Sequence, residues 1–240
     1  MSVRARLRDD AAALAQAEPA LAGGLAATAL AEDPVAGLAA LLGRLLPRVW
    51  IDPEAVARAA LTADDVAAAL ADLDRTVALD FQPGGLATAW IGARGFHMLA
   101  AHRVAHRLWV SGRRDLAVAF RTAAAALGAD IHPAARIGRG LFLDHGIGVV
   151  IGETAVIEDE ACLWHGVTLG STLMEEGDRH PKVRRGAVLG AGATVLGNIE
   201  IGELAVVAAG SVVLASVPPR TTVAGNPAAP RGRWRHPYAT

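Results

Sequence analysis

The sequence predicts an α+β protein, with an α-helical region first and a parallel β-helix of hexapeptide repeats after it. Three observations predict this. An aliphatic residue returns every sixth position at Ile131, Ile137 and Leu143, at Ile151, Ile157, Leu163 and Leu169, and at Val183, Leu189, Val195, Ile201, Val207 and Val213. A small residue often follows four places on, as at Ala135, Ala155, Ala187 and Ser211. Helices repeat at 3.6 and simple strands at 2, so this spacing belongs to neither; it is the mark of a coiled stack of short strands. The third observation is a change of composition at Ala129-Asp130-Ile131-His132-Pro133, before which alanine and leucine dominate.

Residues 1–128 read as helices. Asp33-Pro34, Asp52-Pro53 and Thr62-Ala63-Asp64-Asp65 look like helix starts, each a capping side chain ahead of proline or acidic residues. Gly84-Gly85 and Gly95 read as breaks. The spacing of Phe96, Leu99, Ala100, Val104 and Leu108 predicts a helix, and a last one over about 113–127 stops at Gly128. His97, His102 and His106 fall in this stretch. His102 and His106 are four apart and in principle could share a metal, but the arginine after each fits a solvated helix face better.

From residue 129 to about 218 each hexad is one short strand and one turn, and three hexads make one triangular coil. Neighbouring coils advance by about 4.8 Å. The segment 219–240 is left as a C-terminal tail. The period breaks twice. Leu143 to Ile151 is two residues too long, and Leu169 to Val183 contains a polar, glycine-containing insertion over 170–182. A loop inserted into a regular solenoid marks a functional face.

Composition narrows the function. The chain has 240 residues, 52% hydrophobic and 20% charged, so a substantial core is expected. A net charge of −1 and 4% aromatic residues give no argument for nucleic acid or for an anionic membrane. The single cysteine, Cys162, allows no internal disulfide and no thiolate cluster, which fits a reducing cytoplasm. No signal-like start and no uncharged apolar run of about 18 residues is present.

The chemistry-bearing residues gather at the breaks. His145 follows Asp144 at the first, and Asp178-Arg179-His180 lies in the second. His145 and His165 hold the same place in their hexads, two after the aliphatic residue. Turn residues stack from coil to coil, so distant side chains can meet along an edge. Histidine, with an ordinary pKa near 6.5, suits proton transfer at neutral pH. A carboxylate on its far nitrogen would fix the tautomer, and Arg179 could hold a carboxylate in a bidentate fork. Capped turns are the bland reading of such histidines. Three histidines on adjacent coils or subunits could instead bind zinc, as in the γ-class carbonic anhydrases, which share a β-helix but carry no such helical region in front.

The stretches Asp130-Ile131-His132-Pro133-Ala134-Ala135-Arg136-Ile137-Gly138, Leu143-Asp144-His145-Gly146, Val150-Ile151-Gly152-Glu153-Thr154 and above all Gly177-Asp178-Arg179-His180-Pro181-Lys182 resemble bacterial serine O-acetyltransferases of the hexapeptide-repeat acyltransferase superfamily. Gly190-Ala191-Gly192-Ala193, Leu196-Gly197-Asn198-Ile199 and Val217-Pro218-Pro219 continue the match. The resemblance implies a left-handed β-helix, an exception to the right-handed crossover rule. It implies transfer of acetyl from the co-substrate acetyl-CoA to L-serine, the first step of cysteine biosynthesis, with no metal. It makes His145 the general base and Asp130 its orienting partner, with Asp144, Arg179, His180 and, from the helical region, Asp80 as serine contacts. Gly170, Thr172, Ala191 and Ala209 would line the acetyl-CoA groove. Lys182, Arg184 and Arg185, or Arg231, Arg233 and Arg235, could meet CoA phosphates.

It also implies a homotrimer or a dimer of trimers, with each site between neighbouring subunits. Family members have Asp-Pro where this chain has Asp80-Phe81, and Gly-Gly-Thr-Gly where it has Gly170-Ser171-Thr172-Leu173. Many end in an isoleucine that docks into O-acetylserine sulfhydrylase; this chain ends Pro237-Tyr238-Ala239-Thr240, so that contact is not expected of it. The alternatives are another hexapeptide acyltransferase with a different acceptor, or a non-catalytic scaffold that binds a partner.

Overall fold

A computed structural model describes residues 1–80, 84–172, 176–232 and 234–238. Phe81, Leu173, Arg233 and Thr240 lie outside the described residues. The chain divides into two compact units, Met1–Leu127 and Gly128–Thr240.

The first unit is helical. Its helices are α1 (Val3–Ala17), α2 (Pro19–Ala27), α3 (Pro34–Leu45), α4 (Pro53–Ala60), α5 (Ala63–Leu79), α6 (Leu86–Gly92), α7 (Arg94–Val110) and α8 (Arg114–Ala124), with a 3-10 turn over Ala125–Leu127. The cap signals act as expected. Asp33 and Asp52 accept from backbone N–H groups of the first turns of α3 and α4, each with proline at the start. Thr62 and Asp65 form a reciprocal capping box on α5. Leu7, Leu38, Leu42, Leu73, Phe96 and Phe120 are among the core residues.

Two expectations fail here. Gly95 is no break: it is the second residue of α7 and is buried. His102 is not on a solvated face but buried, and His106 is half-buried, because α7 is covered by α3, α4, α5 and α8; His97 is buried too. His97 Nε2 lies 2.8 Å from the Trp90 carbonyl. The same helix buries Arg103, whose guanidinium donates through Nε (3.1 Å) and through a terminal nitrogen to the fully buried Asp72.

The second unit is the left-handed parallel β-helix. Its first coil is β1 (Asp130–Ile131), β2 (Arg136–Ile137) and β3 (Phe142–Leu143). The second is β4 (Val150–Ile151), β5 (Val156–Ile157) and β6 (Cys162–Leu163), and the third β7 (Thr168–Gly170), β8 (Lys182–Val183) and β9 (Val188–Leu189). Then come β10 (Thr194–Leu196), β11 (Glu200–Ile201) and β12 (Val206–Val207), followed by β13 (Val212–Val213), β14 (Thr222–Gly225) and β15 (Ala228–Pro230). The strands stack into three faces: β1-β4-β7-β10-β13, β2-β5-β8-β11, and β3-β6-β9-β12-β14-β15. All pairs are parallel except β14 with β15. Each six-fold aliphatic residue sits in a strand, and all but Ile137 are buried.

The edge between the third and first faces is a ladder of glycines. Gly148 N–H donates to the Gly128 carbonyl (2.7 Å), Gly166 to Ile147 (2.8 Å), Gly192 to His165 (2.9 Å) and Gly210 to Ala191 (2.8 Å). Gly148, Gly166, Gly192 and Gly210 hold φ between 68° and 74°, a left-handed conformation that glycine adopts without a Cβ penalty. The edge between the first and second faces carries the insertion, which joins β7 to β8. Residues 219–240 are more than a tail: β14 and β15 extend the third face. Farther on, Trp234 Nε1 donates to the Leu204 carbonyl (2.9 Å), and Tyr238 stacks on Trp164 at 6.1 Å.

Candidate active site

His145 ends the first coil in a left-handed turn (φ 56°) at the first period break. Its side chain is 60% exposed, and its Nε2 lies 3.5 Å from Asp144 Oδ2. His165, at the same place one coil on, meets it edge to face with ring centroids 5.9 Å apart. Ala191 and Ala209 occupy the next two corners of the same edge, beside Gly192 and Gly210. Asp130 opens β1 on this edge, paired in register with Val150.

Arg179 and His180 lie on the other edge of the first face. The insertion folds back onto the corner Gly152-Glu153-Thr154 that joins β4 to β5. Arg179 donates to Glu153 Oε2 (2.7 Å) and to the Gly177 carbonyl (3.1 Å). The guanidinium bond holds the Glu153 carboxyl below the usual carboxylate range. His180 is buried, its ring flat against Gly152, and burial first and the Arg179 charge second push it below the usual histidine range. Lys182 donates to Asp178 Oδ1 (2.6 Å) and holds that carboxyl low. Gly170 and Thr172 belong to this edge too, where Gly170 pairs with Leu196 and its carbonyl accepts from Gly197 N–H (3.0 Å).

The expected site residues thus fall into two groups. His145, Asp144, Asp130, Ala191 and Ala209 share one edge; Arg179, His180, Gly170 and Thr172 share the next. Asp80 belongs to the helical unit, where it ends α5 with its N–H on the Thr76 carbonyl (2.8 Å). Three of the basic residues considered for CoA phosphates are engaged with carboxylates: Lys182 as above, Arg184 with Glu158 (2.7 Å) and Glu200 (2.5 Å), and Arg185 with Glu160. Arg231 continues from β15, with its N–H on the Thr222 carbonyl (2.9 Å). Glu153 and Thr154 went unremarked as site residues, because an unbroken hexad gives no sign that its turn will receive a loop from the next coil. Among the described residues, no group of three or more His, Cys, Asp or Glu side chains is placed to hold a metal ion.

No protein-family model matches the sequence. The serine acetyltransferase of Salmonella typhimurium is 42% identical over 229 residues, covering 92% of this chain and 84% of its own. The solved serine acetyltransferase of Neisseria gonorrhoeae has a TM-score of 0.92 at 40% identity, over 98% of this chain and 93% of that one. A serine acetyltransferase of Brucella abortus, solved in complex with coenzyme A, has a TM-score of 0.89 at 37% identity, over 98% of this chain and 96% of that one. Similarity of this extent spans the helical unit and the β-helix together, and the chain belongs to the serine acetyltransferase family.

Proposed function

We propose that this protein transfers the acetyl group of acetyl-CoA to the hydroxyl of L-serine, giving O-acetyl-L-serine and CoA, the first step of cysteine biosynthesis. The observation that carries the mechanism is the setting of His145: an imidazole raised on a left-handed turn, exposed, with a carboxylate at 3.5 Å. Serine's hydroxyl is a weak nucleophile until a base takes its proton as attack proceeds. His145 takes that proton, the serine oxygen bonds to the thioester carbon, and the carbon–sulfur bond breaks. The imidazolium then returns its proton to the departing thiolate, so no acyl-enzyme is needed. Asp144 or Asp130 steadies the positive ring. Arg179 and His180 hold serine, with Arg179 on the carboxylate; a guanidinium has five N–H donors, so the bonds to Glu153 and Gly177 leave others for substrate.

The two groups of residues border one face, which at four to five extended residues is roughly 15 Å wide. One serine molecule cannot span that distance. The site is complete when the His145 edge of one copy faces the Arg179 edge of the next, as in a trimer or a dimer of trimers. Gly170 and Thr172 would then lie across a groove for acetyl-CoA from Ala191 and Ala209 of the adjoining copy. A cytoplasmic location is part of this reading, supported by a sequence whose one cysteine allows no internal disulfide; no described helix is long and apolar enough to cross a membrane. A partner complex with O-acetylserine sulfhydrylase is not part of this reading.

The test is acetyl-CoA consumption with L-serine beside other hydroxyl and amine acceptors. Serine is expected to be preferred, and His145→Ala to lower kcat by a factor on the order of 10² or more. Near-normal turnover by that variant removes the base from the mechanism. Preference for a different acceptor replaces serine as substrate.

A further inference from the structure

Arg179 and His180 are fastened to the preceding coil chiefly through Thr154. Its Oγ accepts from Arg179 N–H (3.0 Å) and His180 N–H (3.1 Å). The same oxygen lies 2.9 Å from His180 Nδ1, and Thr154's own N–H donates to that nitrogen (3.2 Å). Its carbonyl accepts from Lys182 Nζ (3.1 Å). A hydroxyl has one proton and two lone pairs. Both lone pairs face backbone N–H groups, which leaves the proton to be shared between Nδ1 and the Asp178 carboxylate, which Thr154 also reaches. The backbone N–H of Thr154 can only donate, so Nδ1 is an acceptor. The ring proton therefore sits on Nε2.

We propose that Thr154 is the positioning residue of this edge: it fixes His180 as the Nε2–H tautomer and holds Arg179 beside it, so that imidazole and guanidinium present a set of hydrogen-bond donors to the carboxylate of the amino-acid acceptor, a role that rests on serine being the substrate held here. Burial supports this by disfavouring the imidazolium, whose Nδ1 proton would confront the Thr154 N–H. Valine matches threonine in shape but offers neither donor nor acceptor. It would leave two loop N–H groups and one face of Nδ1 without their partner.

Thr154→Val and Thr154→Ser are compared with the wild-type protein, varying serine at saturating acetyl-CoA. Thr154→Val is expected to raise KM for serine by about tenfold or more, with KM for acetyl-CoA and kcat changed much less. Thr154→Ser keeps the hydroxyl and is expected to stay within about twofold of wild type. A serine KM within about twofold in Thr154→Val, or equal damage in Thr154→Ser, overturns the role of Thr154 while leaving serine as acceptor. A wild-type protein that consumes acetyl-CoA with another acceptor but not with serine overturns both. The nitrogen NMR shifts of the His180 ring in the wild-type protein are an independent readout that does not depend on the variant folding. They are expected to report Nε2–H, and Nδ1–H overturns the assignment.

Discussion

Gly152→Ala adds a single methyl group where the fold brings two coils into contact. Gly152 is not in the left-handed region, so its backbone accepts alanine without conformational strain. The obstacle is His180: the new Cβ would lie 1.9 Å from its Cδ2 and 2.0 Å from its Nε2. Carbon atoms in ordinary contact stand about 3.5–4.0 Å apart, so the ring must withdraw by roughly 1.5 Å or more. Its Nδ1 is 2.9 Å from Thr154 Oγ, and a withdrawal of that size takes the pair beyond hydrogen-bond range. Leaving a partly buried polar group unsatisfied costs about 1–3 kcal/mol, which in a rate constant is about fivefold to a hundredfold. The expected result is a fall in kcat/KM for serine of about tenfold or more, since the substrate-facing edge is displaced while His145 stays in place. Thermal stability is expected to fall as well, because the restriction of the unfolded chain, about 0.4–1 kcal/mol, offsets only part of that loss. Initial rates of CoA thiol release, measured against serine concentration, give the answer. A folded Gly152→Ala protein with a kcat/KM within about twofold of wild type would refute the placement of His180 against this corner and its part in serine binding.

Two further outcomes concern stability. Asp72→Ala strips the buried Arg103 guanidinium of its carboxylate and should cost about 3–5 kcal/mol in denaturant unfolding; a loss below about 1 kcal/mol would mean the pair is not buried as described. His97 is held below its ordinary pKa of 6.5 by burial, against a smaller opposing effect of its bond to the Trp90 carbonyl. The folded form then binds fewer protons than the unfolded one, so its contribution is complete above the ordinary value and shrinks as pH falls through it. The melting temperature should drop from about pH 7 to about pH 5, and should drop less in His97→Gln; identical profiles would contradict this.

Much of the β-helix was legible because its signal is periodic. The aliphatic residue of every hexad lies in a strand, and the four-on small residues Ala135, Ala155, Ala187 and Ser211 are buried as the tight corners require. The helix caps were legible because they are local: Asp33, Asp52 and Thr62 act within four residues of themselves. What was not legible depends on contacts between elements. His102 carries an arginine neighbour that suggests a wet face, yet α7 is covered on several sides, and no count along one helix reveals its surroundings. Thr154 and Gly152 look like any other turn residues in their hexad. Their importance comes from a loop that returns from about 25 residues later, which spacing alone does not foretell. His145 and Arg179 stood out as residue types at irregularities, but that they occupy different edges follows only once the strands are assigned to faces.

The antiparallel pairing of β15 with β14 has a consequence for the protein's company in solution. A stack of parallel strands exposes unpaired N–H and C=O groups at its last rung, a template on which another chain could pair and so build a fibre. On the third face that rung is taken by a strand of the same chain running the opposite way. It contains Pro230, which has no N–H to offer. A further coil in the same direction finds neither the polarity nor the full set of donors it would need, and growth by end-to-end addition along that face stops at the chain's own return.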